Sequence, residues 1–396
     1  MANDVYSVAS GGTIRAGLVY KAGWITNAPD DQWGIVPAVN KMADINPENN
    51  PLINPNYPGA SPFKGDGGWV TKITAWNGQC ASPDGTLWHV CDGGHADTGD
   101  NSILKFDVNS ESPRWILVRN PSGAIGNVIN LNDGLENSGV YADGRPRSVH
   151  TYSTPVYFEP TKMPMLGVLG KTCYRSGQGG TDRPVGISEQ TGEMILFGAV
   201  APTGVGMGLD NSACYDENRE LIWYKGSGNA KLATYNPVSD VWQLRGNGDN
   251  TSGTCSICYL PDHDVIVIFC GFYTNGFVVF DCTTYQYFSP AVTGAITGMT
   301  KATIGQCQGQ YLGNNKVAFW NNDTDTTKIN VLTFAGNPRT ATWNIGTLNL
   351  SPSNSVTPTV KTPAGVFNRF RWIPKLGIFT LINAVNQDMY FFKPRL

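Results

Sequence analysis

One pattern constrains this chain more than any other: a β-hairpin of recurring design, met six times. An apolar strand carries a small residue and then an aromatic one. A polar turn follows, and then a strongly hydrophobic second strand. The instances are GQCASPDGTLWHVC (78–91), TPVYFEPTKMPMLGVLG (154–170), SACYDENRELIWYK (212–225), SICYLPDHDVIVIFCG (256–271), GQYLGNNKVAFWNN (309–322) and RFRWIPKLGIFTLIN (369–383). The aromatic anchors are Tyr157, Tyr215, Tyr259, Tyr311 and Trp372, with Ala81 in that place in the first unit. The turns of Pro, Asp, Asn and Gly are those that close hairpins. A third strand follows in most units (ILKFDV, 103–108; LATYNP, 232–237; FVVFDC, 277–282; INVLTF, 329–334; MYFFKP, 389–394). A fourth opens on Trp115, Trp242, Tyr285 or Trp343. The second unit is irregular, and its later strands are expected near Val185–Ile187 and Met194–Gly198.

Four antiparallel strands repeated six times predict an all-β propeller of six four-stranded blades. A seventh blade would require a degenerate unit within residues 1–60. Composition agrees: 46 glycines, 25 prolines and only 15% charged residues leave little for helices. The sixth unit stops after its third strand. An open sheet edge is a liability, so an N-terminal strand, DQWGIV (31–36) or GWITN (23–27), is expected to fill the fourth place and close the ring. Residues 1–67 are then a ring-closing strand and an extended arm, and 68–396 the propeller. The prolines and asparagines of 46–68 argue against regular structure there.

Net charge is −3 with no basic block, so nucleic acid is not an expected partner. The first residues carry neither a charged n-region nor an apolar h-region, and no apolar run reaches membrane-spanning length. Neither a secretory signal nor membrane insertion is expected. The nine cysteines are then expected to be reduced. Cys255-x-x-Cys258, with Cys270 and Cys282, has superficial zinc spacing. Residues three apart in a strand point to opposite faces, however, so zinc is not expected.

The residues Gly93-Gly94-His95 with ILKFDV and Trp115, VHTY (149–152) and NRFRWIPKLGIFTLIN (368–383) resemble the kelch-type propellers, in the divergent branch grouped with the central domain of galactose oxidase. The resemblance covers most of 68–396. It would imply copper held by two histidines and two tyrosines. His89 lies within a second strand and His263 in a first hairpin turn at the opposite end. Only His95 and His150 remain, with no Tyr-His dipeptide, so no copper and no other cofactor is expected. SPDGTLW (82–88) resembles the Asp-box of sialidases but is one residue short, and it occupies a hairpin turn.

Propeller connectivity places the loops that enter each blade and those joining its second and third strands at one end. This loop-rich end gathers the candidate ligand-binding residues His95, Asp97, Tyr141, Arg147, His150, Tyr174, Arg175, Asp182 and Arg369. Gly93 and Gly94 read as a tight corner that tolerates left-handed backbone. Arg147 and Arg369 read either as ties between blades or as ligand contacts. Tyr141 and Tyr174 are expected to be exposed for stacking. The expected function is a non-enzymatic binding component of a virus particle, such as a phage tail, baseplate or fibre, within a larger assembly. Its partners would be other virion structural proteins or a host-surface glycan. The alternative is a carbohydrate-active enzyme, with Asp97 and Asp182 as a carboxylate pair.

Overall fold

The computed structural model describes residues 20–47, 67–94, 97–122, 139–141, 143–166, 183–205, 210–226, 231–246 and 253–396. They form six antiparallel blades in a ring, a six-bladed β-propeller. Strand β1 (Gln32–Ile35) comes first in the chain and belongs to the last blade. Blade 1 is β2 (Cys80–Ala81), β3 (Thr86–Val90), β4 (Ile103–Asp107) and β5 (Trp115–Arg119). Blade 2 is β6 (Val156–Phe158), β7 (Met163–Leu166), β8 (Val185–Ile187) and β9 (Met194–Leu196). Blade 3 is β10 (Ser212–Asp216), β11 (Leu221–Lys225), β12 (Leu232–Asn236) and β13 (Val241–Arg245). Blade 4 is β14 (Cys255–Leu260), β15 (Val265–Cys270), β16 (Phe277–Asp281) and β17 (Tyr287–Phe288). Blade 5 contains β18 (Val292–Gly294), β19 (Gln310–Tyr311), β20 (Lys316–Phe319), β21 (Asn330–Phe334) and β22 (Trp343–Thr347). Blade 6 is β23 (Arg371–Ile373), β24 (Ile378–Leu381) and β25 (Tyr390–Lys393), completed on the outside by β1.

Sequence parity explains the core. Each blade is buried on both faces, so its central strands read as unbroken apolar runs. Alternate residues then serve alternate neighbours. In β15, Ile266, Ile268 and Cys270 pack toward blade 3, while Val265, Val267 and Phe269 pack toward blade 5. The same division recurs around the ring, giving six hydrophobic clusters, one for each interface between blades. Cys255 falls in the cluster between blades 3 and 4, and Cys258 in that between blades 4 and 5. That is the opposite-face placement expected of residues three apart. All eight described cysteines are buried thiols; Cys173 lies outside the described residues.

Ring closure uses DQWGIV. Gln32 pairs with Lys393 and Ile35 with Tyr390. Trp33 sits 3% exposed against Phe392, and its indole N–H donates to the Thr327 carbonyl of blade 5 at 2.8 Å. The competing stretch forms a helical turn, Gly23–Thr26, whose Ile25 is buried in the cluster between blades 6 and 1. No seventh sheet forms among the described residues. Of the expected arm, residues 48–66 lie outside the described residues, and Gly68–Val70 and Thr71–Thr74 are short helical turns.

Two strand expectations are corrected. Tyr285 does not open a fourth strand: it has φ 59° in the turn before β17. It lies beside Phe280 and accepts from Arg245 through its hydroxyl at 2.7 Å. Blade 5 also gains a fifth strand, β18, which pairs in parallel with the outer strand β22 from Val292↔Trp343 to Gly294↔Ile345. Among the described residues no helix is long and apolar enough to cross a membrane.

Candidate binding site at the loop-rich end

The segments entering the six blades touch one another in a closed circuit of hydrogen bonds around the axis. Gly78 N–H donates to Thr151 Oγ1 (2.9 Å), and Ala213 N–H to the Ser153 carbonyl (2.9 Å). Ile257 N–H donates to Ser212 Oγ (2.9 Å), and Ser256 Oγ–H to the Cys307 carbonyl. Gln308 N–H donates to the Phe367 carbonyl (2.8 Å), and Gln79 N–H to Asn368 Oδ1 (2.7 Å). Each link satisfies a backbone group that the inner sheet edge would otherwise strand in a buried place. The circuit fixes the segments one to four residues ahead of each inner strand: Trp76, Tyr152, Asp210, Thr254, Gln306 and Phe367.

The Gly-Gly corner beside this rim is a steric requirement. Gly94 has φ 106°, and a Cβ there would lie 2.1 Å from His150 Cδ2. A Cβ on Gly93 would lie 2.4 Å from the Thr98 carbonyl oxygen. Any side chain would push blade 1's loop off blade 2's entry segment, where Gly93 N–H donates to Val149 O and Val149 N–H to Cys91 O.

That approach brings two candidates together. Asp97, from the β3–β4 loop, pairs with His150 Nε2 at 2.5 Å, across the boundary between blades 1 and 2. The imidazole is 5% exposed and packs at a tilt against Trp76 at 5.0 Å, while Tyr152 meets it edge-on at 5.8 Å. Tyr152 in turn meets Phe367 at 5.5 Å. Both Tyr152 and Phe367 hold left-handed backbone, φ 47° and 52°. Asp210 completes the cluster. Burial raises its carboxyl above the ordinary aspartate value, against the opposing pull of the Thr254 hydroxyl (2.8 Å) and of His150. Burial, and then the Asp210 charge, push the Tyr152 phenol up, so it stays protonated. The rim thus offers a 40% exposed indole with the part-exposed carboxylates of Asp97 and Asp210 close by, and the buried Tyr152 ring beneath them.

The remaining candidates fall into two groups. Tyr141, Arg147 and Arg369 are fully buried. Tyr141 is therefore no exposed platform: its hydroxyl donates to the Gly99 carbonyl (2.6 Å), and the Arg147 guanidinium covers its ring at 4.8 Å. Arg147 Nε donates to the Val140 carbonyl (3.0 Å). Arg369 donates to the carbonyls of Asn77, Ile382 and Gly365 and to Thr362 Oγ1, tying blade 6 to the entry of blade 1. Five donors in a fixed fork suit an arginine to collecting carbonyls that no strand pairs. His95, Tyr174, Arg175 and Asp182 lie outside the described residues.

The other histidines are structural. His89 bridges Asp92 (2.6 Å) and Gln79 (3.0 Å) inside the ring, and His263 binds Asn315 at the far end. Among the described residues no group of three His, Cys, Asp or Glu side chains is placed to hold a metal ion.

Sequence reasoning missed Trp76, Asp210 and Thr254. Their shared signal is position: each falls one to four residues before an inner strand.

No protein-family model matches the chain, and neither does any curated protein. Among solved structures it is similar to an auxiliary nutrient binding protein from Bacteroides ovatus (13% identity, TM-score 0.42, covering 81% of this chain and 69% of that one). A second, also described as an auxiliary nutrient binding protein, is from Bacteroides thetaiotaomicron (10%, TM-score 0.44, 81% and 69%). A third is TolB from Acinetobacter baumannii (9%, TM-score 0.37, 67% and 56%).

Proposed function

We propose that the chain is a non-enzymatic binding module whose loop-rich end takes a surface glycan, and that it works as one component of a larger virus-particle assembly. The observation that carries the glycan reading is Trp76, an open indole on the axial rim near the part-exposed carboxylates of Asp97 and Asp210. A pyranose ring lays its C–H face on an indole while its hydroxyls donate to neighbouring carboxylates, and this pairing of one apolar platform with a few placed polar groups is how such sites gain orientation. The virion placement and the kelch-type kinship rest on sequence: low charge, Asn/Thr/Gly-rich loops, an all-β chain and the signatures around Gly93-Gly94-His95.

The test is retention of purified protein on a panel of immobilised bacterial surface oligosaccharides. Wild-type protein should be retained on at least one of them. Trp76→Ala should lose about tenfold or more in affinity with unchanged melting, as expected for an aromatic anchor. Retention on none, or equal retention of the variant, would overturn the reading. Oligosaccharide turnover abolished by Asp97→Asn or Asp210→Asn would replace it with the enzymatic one.

A further inference from the structure

A sheet edge left open is a template for another strand, and this ring manages its outer edges one by one. The edge of β1 is met by the segment after β22: Asn354 Oδ1 accepts from Trp33 N–H (2.8 Å), and Ser351 N–H donates to the Asp31 carbonyl (2.7 Å). At β5 the Asn40 side chain answers both backbone groups of Trp115, accepting at 2.8 Å and donating at 3.0 Å. The outer side of β22 is covered by β18. Strands β9 and β17 are only three and two residues long. The exception is β13. It runs for five residues, Val241–Arg245, and pairs with β12 alone. Among the described residues no group bonds to its outer backbone edge.

This edge also lacks the charges that commonly guard one. Arg245 is the only ionic side chain of the strand, and it is turned toward blade 4, donating to Thr234 Oγ1 (3.1 Å) and to the Tyr285 hydroxyl (2.7 Å). Apolar surface stands there instead: Val241 is 46% and Leu244 42% exposed, and Val238 in the preceding turn is exposed as well. Side-chain parity puts Leu244 on the same face as Trp242, toward blade 2. Ile195 and Val200 of that blade are likewise exposed.

We propose that β13 is a dimer interface, along which a second copy of this chain lays its own β13 antiparallel and joins the two third blades into one continuous sheet. The occupant is assigned by the self-complementarity of the strand. A two-fold axis normal to the sheet keeps every side chain on its own face, and directly opposed residues must share a face. Centring the axis on Gln243 satisfies this and pairs the whole strand. Gln243 then stands opposite its own copy, amide against amide. Trp242 stands opposite Leu244 twice, an aromatic–aliphatic pair on the blade 2 side. Val241 stands opposite Arg245, whose aliphatic stem covers it, and no like charges meet. The interface lies on the outer circumference and uses none of the rim residues, so it is independent of the glycan reading.

In sedimentation velocity the full chain should shift from the monomer mass toward twice that mass as concentration rises. Gln243→Cys should give a disulfide-linked dimer under mild oxidation, because opposed Cα atoms of an antiparallel pair lie about 4.5–5.5 Å apart, within disulfide reach. Ile116→Cys, exposed on β5, is the control and should not cross-link. Val241→Lys sets a second cation opposite Arg245 at both ends of the pair. It should raise the dimer dissociation constant about tenfold or more, with the melting of dilute protein unchanged. A monomer at every concentration, a cross-link no more frequent than in the control, or a dimer indifferent to Val241→Lys would overturn the proposal. The first of these would leave the edge to a strand from a different chain.

Discussion

Removing the indole of Trp33 tests whether the ring is closed by non-covalent packing of a strand that begins far from the sheet it completes. Trp33 is 3% exposed, packed at a tilt against Phe392 and bonded through its indole N–H to Thr327 of the neighbouring blade. A tryptophan buries about 200 Å². At about 25 cal/mol per Å² that is about 5 kcal/mol, in line with about 3–5 kcal/mol for Trp→Ala in cores. The stranded Thr327 carbonyl adds roughly 1 kcal/mol. Trp33→Ala should therefore cost about 5 kcal/mol in urea unfolding followed by far-ultraviolet circular dichroism. Ile35, two residues on in the same strand, is 49% exposed and supplies the control. Ile35→Ala should stay within about 0.5 kcal/mol of wild type. Limited proteolysis should cut Trp33→Ala within the first residues of the chain before the blades are attacked, because the freed strand leaves β25 as an open edge. Equal unfolding midpoints for the two variants, with equal slopes, would refute the claim that this strand locks the ring.

Two further outcomes follow from buried charges. Arg339 links blade 5 to blade 4 by donating to Asp281 and to the His263 carbonyl. Arg339→Met should cost about 3 kcal/mol, the lower end for breaking a buried pair, because the Thr283 and Thr284 N–H groups still cover Asp281. Burial alone would raise Asp281, but those N–H groups and Arg339 outweigh it and hold it below the ordinary value of 3.8. The difference between the two proteins should therefore be full above that value and shrink as pH falls through the lower folded one, which acid titration of melting would check. Asp210 has the opposite sign: burial raises it, so its contribution is intact below 3.8 and stability is lost as pH rises through the folded value. Asp210→Asn should match wild type near pH 3 and melt higher near neutrality; a gap that narrows with rising pH would contradict the assignment.

The hairpin repeat, the unbroken apolar runs and the missing fourth strand of the last unit were enough to read a six-bladed ring from the chain. Each is a local consequence of burial on both faces of a blade, which forces side-chain parity and residue type together. Parity alone also separated Cys255 from Cys258. What the sequence did not carry was which of two tryptophan-bearing stretches would close the ring. Gly23–Thr26 and Gln32–Ile35 differ little in composition, and the choice falls to the hydrogen bonds that Trp33 finds on blade 5. Nor could it distinguish a buried arginine from a ligand-contacting one: Arg369 enters a polar loop in the sequence, yet the closing of blade 6 on blade 1 surrounds it with carbonyls. The rim itself belongs to tertiary structure. Trp76, His150 and Asp210 lie more than fifty residues apart and meet because the inner strands converge on one axis, a geometry that exists only once the ring has closed.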